Sequence, residues 1–260
     1  LHAMSYLIIC TVAALASGLT FFSGFGLGTL LLPAFALFFA VEKAVALTAI
    51  VHFLNGTFKL ALVWRHIDRN LVLRFGLPAI AGAFAGAWLL VQVAETSALF
   101  SYAIFGRTIQ IEPAKLVIGI LLLCFACAEL LPAFRKITFA PRYQPFGGLL
   151  SGFFGGLAGM QGALRSAFLV KTGIDKATYV ATGAAIAFLI DVSRLSIYAP
   201  LIFAQHAALD YSLLAAAVVA ALAGSIFGNH YLRTATLRGV QVLVAILLFI
   251  VALGLISGLL

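Results

Sequence analysis

Eight nearly unbroken apolar runs fill this chain, at 4–40, 44–64, 71–94, 115–132, 146–170, 177–204, 209–232 and 237–260. Most are about 20 residues or longer, and at a rise of roughly 1.5 Å per residue such a helix crosses about 30 Å of hydrocarbon. Only 9% of the residues are charged and 64% are hydrophobic, whereas a soluble domain carries roughly 25% charged residues. That is too little charge to cover a water-facing surface, so the solvent must be lipid. Lipid leaves helices and closed barrels as the only spanning structures. Barrel strands would read as short segments of alternating polarity. The continuous runs therefore predict an all-α polytopic membrane protein.

Composition removes several other readings. The net charge of +8 would point to nucleic acid in a soluble protein, but in a membrane protein surplus Lys and Arg gather in cytoplasmic loops, so no nucleic-acid partner is expected. Cys10, Cys124 and Cys127 all lie inside apolar runs and are not expected to form organising disulfides. Cys124 and Cys127 make a C-x-x-C with no accompanying His, Asp or second Cys pair, which reads as packing rather than as a redox or metal site. The first run has no basic leader and is read as a membrane segment, not a cleaved signal.

The chain repeats itself. Phe21-Phe22-Ser23-Gly24-Phe25-Gly26-Leu27-Gly28 precedes an apolar stretch and then Val41-Glu42-Lys43-Ala44. The second half carries Gly155-Gly156-Leu157-Ala158-Gly159-Met160-Gln161-Gly162, an apolar stretch, and Ile174-Asp175-Lys176-Ala177. This divides the chain into a first repeat at 1–134, a basic linker at 135–145 and a second repeat at 146–260. Glycine weakens a helix interior by about 1 kcal/mol, so each glycine cluster is expected to break its run. The break can leave one interrupted span or a re-entrant hairpin, whose leg of about 12 residues would reach roughly the midplane.

Loop charge separates these two models. If the broken runs span, Arg65, Arg69, Arg74, Arg135, Lys136 and Arg142 face Lys43, Arg107, Lys115, Lys171, Lys176, Arg233 and Arg238, six against seven. If they are re-entrant, Lys171, Lys176, Arg233 and Arg238 join the first group, and the partition becomes ten against three. The second outcome follows the positive-inside rule. It predicts two inverted repeats, each a glycine-broken hairpin plus three transmembrane helices, with both termini outside the cytoplasm.

Ionisable residues inside apolar runs mark function, because a charge at a helix centre costs at least about 2.5–3.5 kcal/mol. Lys59, Arg165, Asp191 and Arg194 qualify. Asp191 and Arg194 stand three apart and can pair, and Tyr198 shares their face. Thr48, His52, Asn55 and Lys59 follow steps of four, three and four, a polar stripe down one helix face. Each also has a structural reading: Lys59 can snorkel past Trp64, His52 and Asn55 can join helices, and Asp191–Arg194 can be a packing pair.

Lys59, Arg165 and Arg194 against Asp191 leave a formal interior charge of +2. Such an excess in low dielectric calls for an anion. Half-helix N-termini at the breaks add N–H donors and a positive dipole end. Gly26, Gly28, Gly159, Gln161 and Gly162 are expected to let the backbone approach a ligand. The predicted anion site is Arg165 and Arg194, with Lys59, Asn55 and those break residues. Asp191 and Tyr198 orient it, and His52 is the candidate proton carrier. No cofactor or metal is expected.

The Gly-rich turn followed by an apolar stretch and Pro33, then Glu42-Lys43-Ala44-Val45-Ala46, and the recurrence of that order in the second half resemble the sulfite exporter family, TauE/SafE, also called the toluene-sulfonate uptake permease family. The resemblance covers nearly the whole chain. It implies a secondary transporter in the bacterial inner membrane for sulfite, a sulfonate, sulfoacetate or a related organic anion. The chain departs from the usual pattern at Gln161, Arg165, Ser166 and Ala167. Its partners would be that small anion and the lipid bilayer, and homo-oligomerisation is compatible with it. The alternatives from other classes are a passive anion channel and a membrane-embedded enzyme acting on a lipid phosphate. The enzyme lacks support, because no acidic pair and no nucleophile–base arrangement is evident from spacing.

Overall fold

A computed structural model of the protein describes residues 2–23, 27–104, 106–131, 137–204, 210–231 and 237–260. Its helices, in chain order, are α1 (His2–Ser23), α2 (Leu27–Ala36), α3 (Val41–Val63), α4 (Arg69–Ala94), α5 (Pro113–Leu130), α6 (Gln144–Ala158), α7 (Gly162–Leu169), α8 (Lys176–Ala204), α9 (Tyr211–Tyr231) and α10 (Leu237–Ile256). Three stretches, Val41–His66, Arg69–Ala94 and Lys176–Pro200, are long and apolar enough to cross a membrane. Large apolar side chains such as Leu62, Trp88, Phe203, Val219 and Phe227 stand on the outside of the bundle, as a lipid solvent requires.

The expected all-α architecture holds with one departure. The stretch between the apolar runs 71–94 and 115–132 forms a two-stranded antiparallel hairpin, β1 (Phe100–Ile104) and β2 (Arg107–Ile111), with Tyr102 opposite Ile109. The hairpin is fixed to the end of the chain: the Tyr102 hydroxyl donates to the Ser257 carbonyl at 2.6 Å, and Ile111 is buried. Within α4, the turn Val72–Gly76 is π-helical. Pro78 follows it, and a proline both lacks the N–H for the preceding turn and crowds the carbonyl four residues back.

Small residues set the helix pairing. α6 packs on α4, α1 on α9, α5 on α10, and α3 crosses α8 at the centre, with α3 also touching α9 and α8 touching α4. Gly148, Gly152 and Gly156 on α6 lie against the backbone oxygens of Phe75, Ala79 and Ala83, while Gly82 and Gly86 on α4 lie against those of Leu149 and Phe153. A Cβ at any of these glycines would fall on a carbonyl. Gly224 meets the Ala14 carbonyl in the α1–α9 pair in the same way. Close backbone approach of this kind is how helices associate in lipid, where no hydrophobic drive separates protein from solvent. The glycine cluster of the second half therefore divides: Gly155 and Gly156 stay helical, and the break falls at Gly159–Gln161, where Gly159 adopts φ 75° and ends α6.

Contacts between distant segments order the two ends of the bundle. At one end, the Phe139 N–H donates to the Ala167 carbonyl at 3.0 Å and the Phe139 ring stacks on Phe168 at 4.2 Å. The start of α6 and the finish of α7 therefore lie together. Asp68, between α3 and α4, donates its N–H to Thr182 near the start of α8, which puts the α3–α4 junction at that end too. α8 then runs to the opposite end, where Asp210 opens α9 and accepts from the Tyr6 hydroxyl at 3.0 Å. So α1 starts at this second end, and α2 must finish there, because α3 leads away from it. The first legs of the glycine-broken segments are longer than the dozen residues expected of a half-span, 22 residues in α1 and 15 in α6.

Carboxylates cap two helix starts at the first of these ends. Asp68 accepts from Asn70 and Leu71, and Asp175 accepts from the Ala177 and Thr178 N–H groups and from the Thr178 hydroxyl at 2.7 Å. The Thr178 hydroxyl holds the Asp175 carboxyl below its ordinary value of 3.8. Its capping contribution is therefore full above that value and is lost as pH falls through the lowered one.

The packing predicts sidedness. In a chain whose three cysteines have been replaced, single cysteines at Asn70 and Lys171 should react with an impermeant thiol reagent from one face of the membrane. Cysteines at Ser101 and Tyr211 should react from the other. Labelling of Asn70 and Lys171 from different faces would contradict the fold.

Candidate functional site

The interior chemistry is built on α8. Asp191, Arg194 and Tyr198 recur at helical spacing on one face, and all three are fully buried. α3 crosses this face with the expected stripe of Thr48, His52 and Asn55, also buried. Asp191 is where the two helices join. One carboxylate oxygen lies 2.6 Å from His52 Nδ1. The other accepts from Arg194 Nε at 3.0 Å, with Nη2 at 2.8 Å. Nη2 is not aligned for a hydrogen bond to that oxygen and has no other partner. A carboxylate only accepts, so His52 carries a hydrogen on Nδ1 toward Asp191.

The same face closes the end of α6. Arg194 Nη1 donates to the Gly155 carbonyl at 3.3 Å, and the Tyr198 hydroxyl donates to the Gly156 carbonyl. The last carbonyls of a helix lack partners within it and carry the negative end of its dipole. A cation and a hydroxyl are suited to both needs.

The two glycine breaks meet beside Arg194. A Cβ on Gly28 would stand 2.9 Å from the Gly159 carbonyl oxygen, and a Cβ on Gly159 would stand 2.9 Å from Arg194 Nη1. Gly159 is thus required both by its left-handed backbone and by the guanidinium against it. Gly28 and Gly162 are buried at the starts of α2 and α7. Gly26 lies outside the described residues.

Both amide atoms of Gln161, Arg165 Nη1 and Thr48 Oγ1 are buried without a hydrogen-bond partner, while Arg194 Nη2 stands 2.8 Å from Asp191. Gln161 sits at the break, its Cδ 3.8 Å from the position a Gly155 Cβ would take. Arg165 follows one turn later, and its Nε lies 3.3 Å from a Cβ placed on Gly183 of α8. Buried donors and acceptors are nearly always satisfied in folded proteins, so these unmet atoms call for a polar partner.

Asn55 and Lys59 belong to an adjacent cluster on the α1–α9 side of α3. Asn55 Oδ1 accepts from Ser17 at 3.1 Å and from Ser225 at 2.8 Å, and Lys59 Nζ donates to the Ser17 carbonyl at 3.3 Å. Ser17 and Ser225 escaped the sequence reading because a lone serine in an apolar run looks like a small packing residue. Ser166 and Tyr179, joined at 2.7 Å, tie α7 to α8 beside Arg165; Tyr179 carried no sequence signal of its own. Among the described residues no group of three or more His, Cys, Asp or Glu could hold a metal ion.

A helical bundle with an apolar exterior and two broken helices meeting at a buried polar centre is an integral membrane protein. The sulfite exporter TauE/SafE family model matches residues 8–255, nearly the whole chain, and the chain belongs to that family, which is one of membrane transporters. No curated protein and no solved structure matches it.

Removing one partner of a buried ion pair costs about 3–5 kcal/mol, because the other charge is left uncompensated. Asp191→Asn and Arg194→Gln should each lower the melting temperature in detergent, and the double variant should recover part of the loss. A double variant whose loss equals the sum of the two single losses would show that the pair is not coupled.

Proposed function

We propose that the protein is a secondary transporter moving a small sulfur-containing anion, sulfite or an organic sulfonate, across the bacterial inner membrane. The observation that carries the reading is that the segment just after the Gly159 break holds Gln161 and Arg165 with unmet buried polar atoms, while Arg194 stands against Gly159, itself beside Gly28. Arg165 is the primary anion contact. Arg194 is shared between the anion and Asp191. Asp191 holds Arg194 in place and lowers the charge of the empty site. The N-terminus of α7 adds its dipole.

We further propose that segments 1–134 and 146–260 are inverted repeats joined by the basic linker 135–145. The pairing pattern supports this. α1 pairs with α9 as α6 pairs with α4, while α3–α8 and α5–α10 each join a helix to its counterpart. The end of the bundle holding Arg65, Arg69, Arg74, Arg142, Lys171 and Lys176 is the cytoplasmic one by the positive-inside rule, and the termini are periplasmic. His52 is the coupling group, since it is the imidazole that the buried Asp191 carboxylate holds through Nδ1.

Binding of sulfite and small sulfonates to the purified protein, followed by thermal shift and calorimetry, tests this. Arg165→Gln should lower affinity by about tenfold or more with little change in melting temperature without ligand, because a charge-assisted hydrogen bond is worth roughly 1.5–3 kcal/mol. Arg194→Gln should lower both affinity and stability. Unchanged affinity in both variants would overturn the proposal.

A further inference from the structure

Gln161 and Gly28 occupy corresponding positions in the two halves, 133 residues apart on the same offset that relates Glu42 to Asp175. The positions differ in what they offer. At Gly28 a side chain would collide with the Gly159 carbonyl. At Gln161 the chain places a full amide, 1% exposed, with neither its oxygen nor its nitrogen hydrogen-bonded. The backbone around it is well fixed: the Gln161 carbonyl accepts from Ser151 Oγ at 3.0 Å and from the Arg165 N–H at 3.0 Å. The backbone is thus held in place while the polar end of the side chain is left unmet.

A simple oxyanion has only acceptors. Arg165 Nη1 is a donor without a partner and matches it. The Gln161 amide presents a donor and an acceptor together, whichever way round it lies, and the acceptor cannot be satisfied by an oxyanion. From this we propose, resting on the transporter reading above, that Gln161 is a specificity-determining residue. It selects a small monoanion that carries a hydroxyl or N–H donor close to its oxyanion group. The oxyanion faces the arginines and the amide N–H, and the donor faces the amide oxygen. An anion lacking the donor leaves a buried acceptor unmet, which is the arrangement by which polar sites reject close analogues.

The test uses the purified full-length chain and a matched pair of probes, 2-hydroxyethanesulfonate and ethanesulfonate, titrated by calorimetry, with sulfite as reference. The wild-type protein should bind the hydroxylated probe at least about tenfold more tightly. Gln161→Met, which keeps the length of the side chain and removes its hydrogen-bonding groups, should bring the two affinities within about twofold of each other. Its melting temperature without ligand should stay close to wild type, because no protein hydrogen bond is lost. Equal affinities in the wild-type chain would overturn the inference even if the variant failed to fold, and so would a preference that survives in Gln161→Met. In either case the transporter reading would stand. Binding of sulfite but of neither probe would also overturn it. If none of the three bound, both the inference and the anion site would fall.

Discussion

The interior of this protein depends on one carboxylate. Among the described residues, Asp191 is the buried acid, and it is shared between His52 on α3 and Arg194 on its own helix. A charge held out of water costs several kcal/mol unless it is paired and hydrogen-bonded. Asp191 meets that condition by engaging both of its oxygens, and in doing so it ties the first half of the chain to the second. Arg194 carries the link onward to Gly155, and Tyr198 carries it to Gly156. The end of α6, the break after it, and the crossing of α3 with α8 therefore rest on one connected set of polar contacts.

Backbone proximity makes that set possible. Arg194 reaches the Gly155 carbonyl, and the two breaks touch, only because glycine occupies the positions between them. The α4–α6 seam works on the same rule, with glycines every four residues on α6 laid against carbonyls of α4. Rigid seams around a centre with unmet donors suit a binding site, since affinity and selectivity both fall when the groups that hold a ligand can relax around its absence.

Much of this was legible in the sequence, for physical reasons. Helices followed from the length of the apolar runs. The Thr48–His52–Asn55 stripe and the Asp191–Arg194 pairing followed from helical spacing, which fixes neighbours on one face. The position of the breaks was legible only in part. Glycine at 148, 152, 155, 156, 159 and 162 signals both close packing and chain reversal, and the sequence does not say which glycine does which. The hairpin at 100–111 was hidden because its main anchor, Tyr102 on Ser257, spans 155 residues. Likewise the His52–Asp191 contact joins residues 139 apart, and the Ser17–Asn55–Ser225 ring assembles three helices. Spacing rules reach one or two turns, whereas these contacts are set by which helices lie side by side.

The central claim is that the meeting point of the two glycine breaks is the transport site. Met160 lies there, 1% exposed, between Gly159 and Gln161. A cysteine at Met160, in a chain with Cys10, Cys124 and Cys127 replaced and reconstituted in vesicles, should react slowly with a small charged thiol reagent. A sulfur anion that those vesicles take up should slow the reaction in proportion to its occupancy. A labelling rate unaffected by a transported anion would contradict the account.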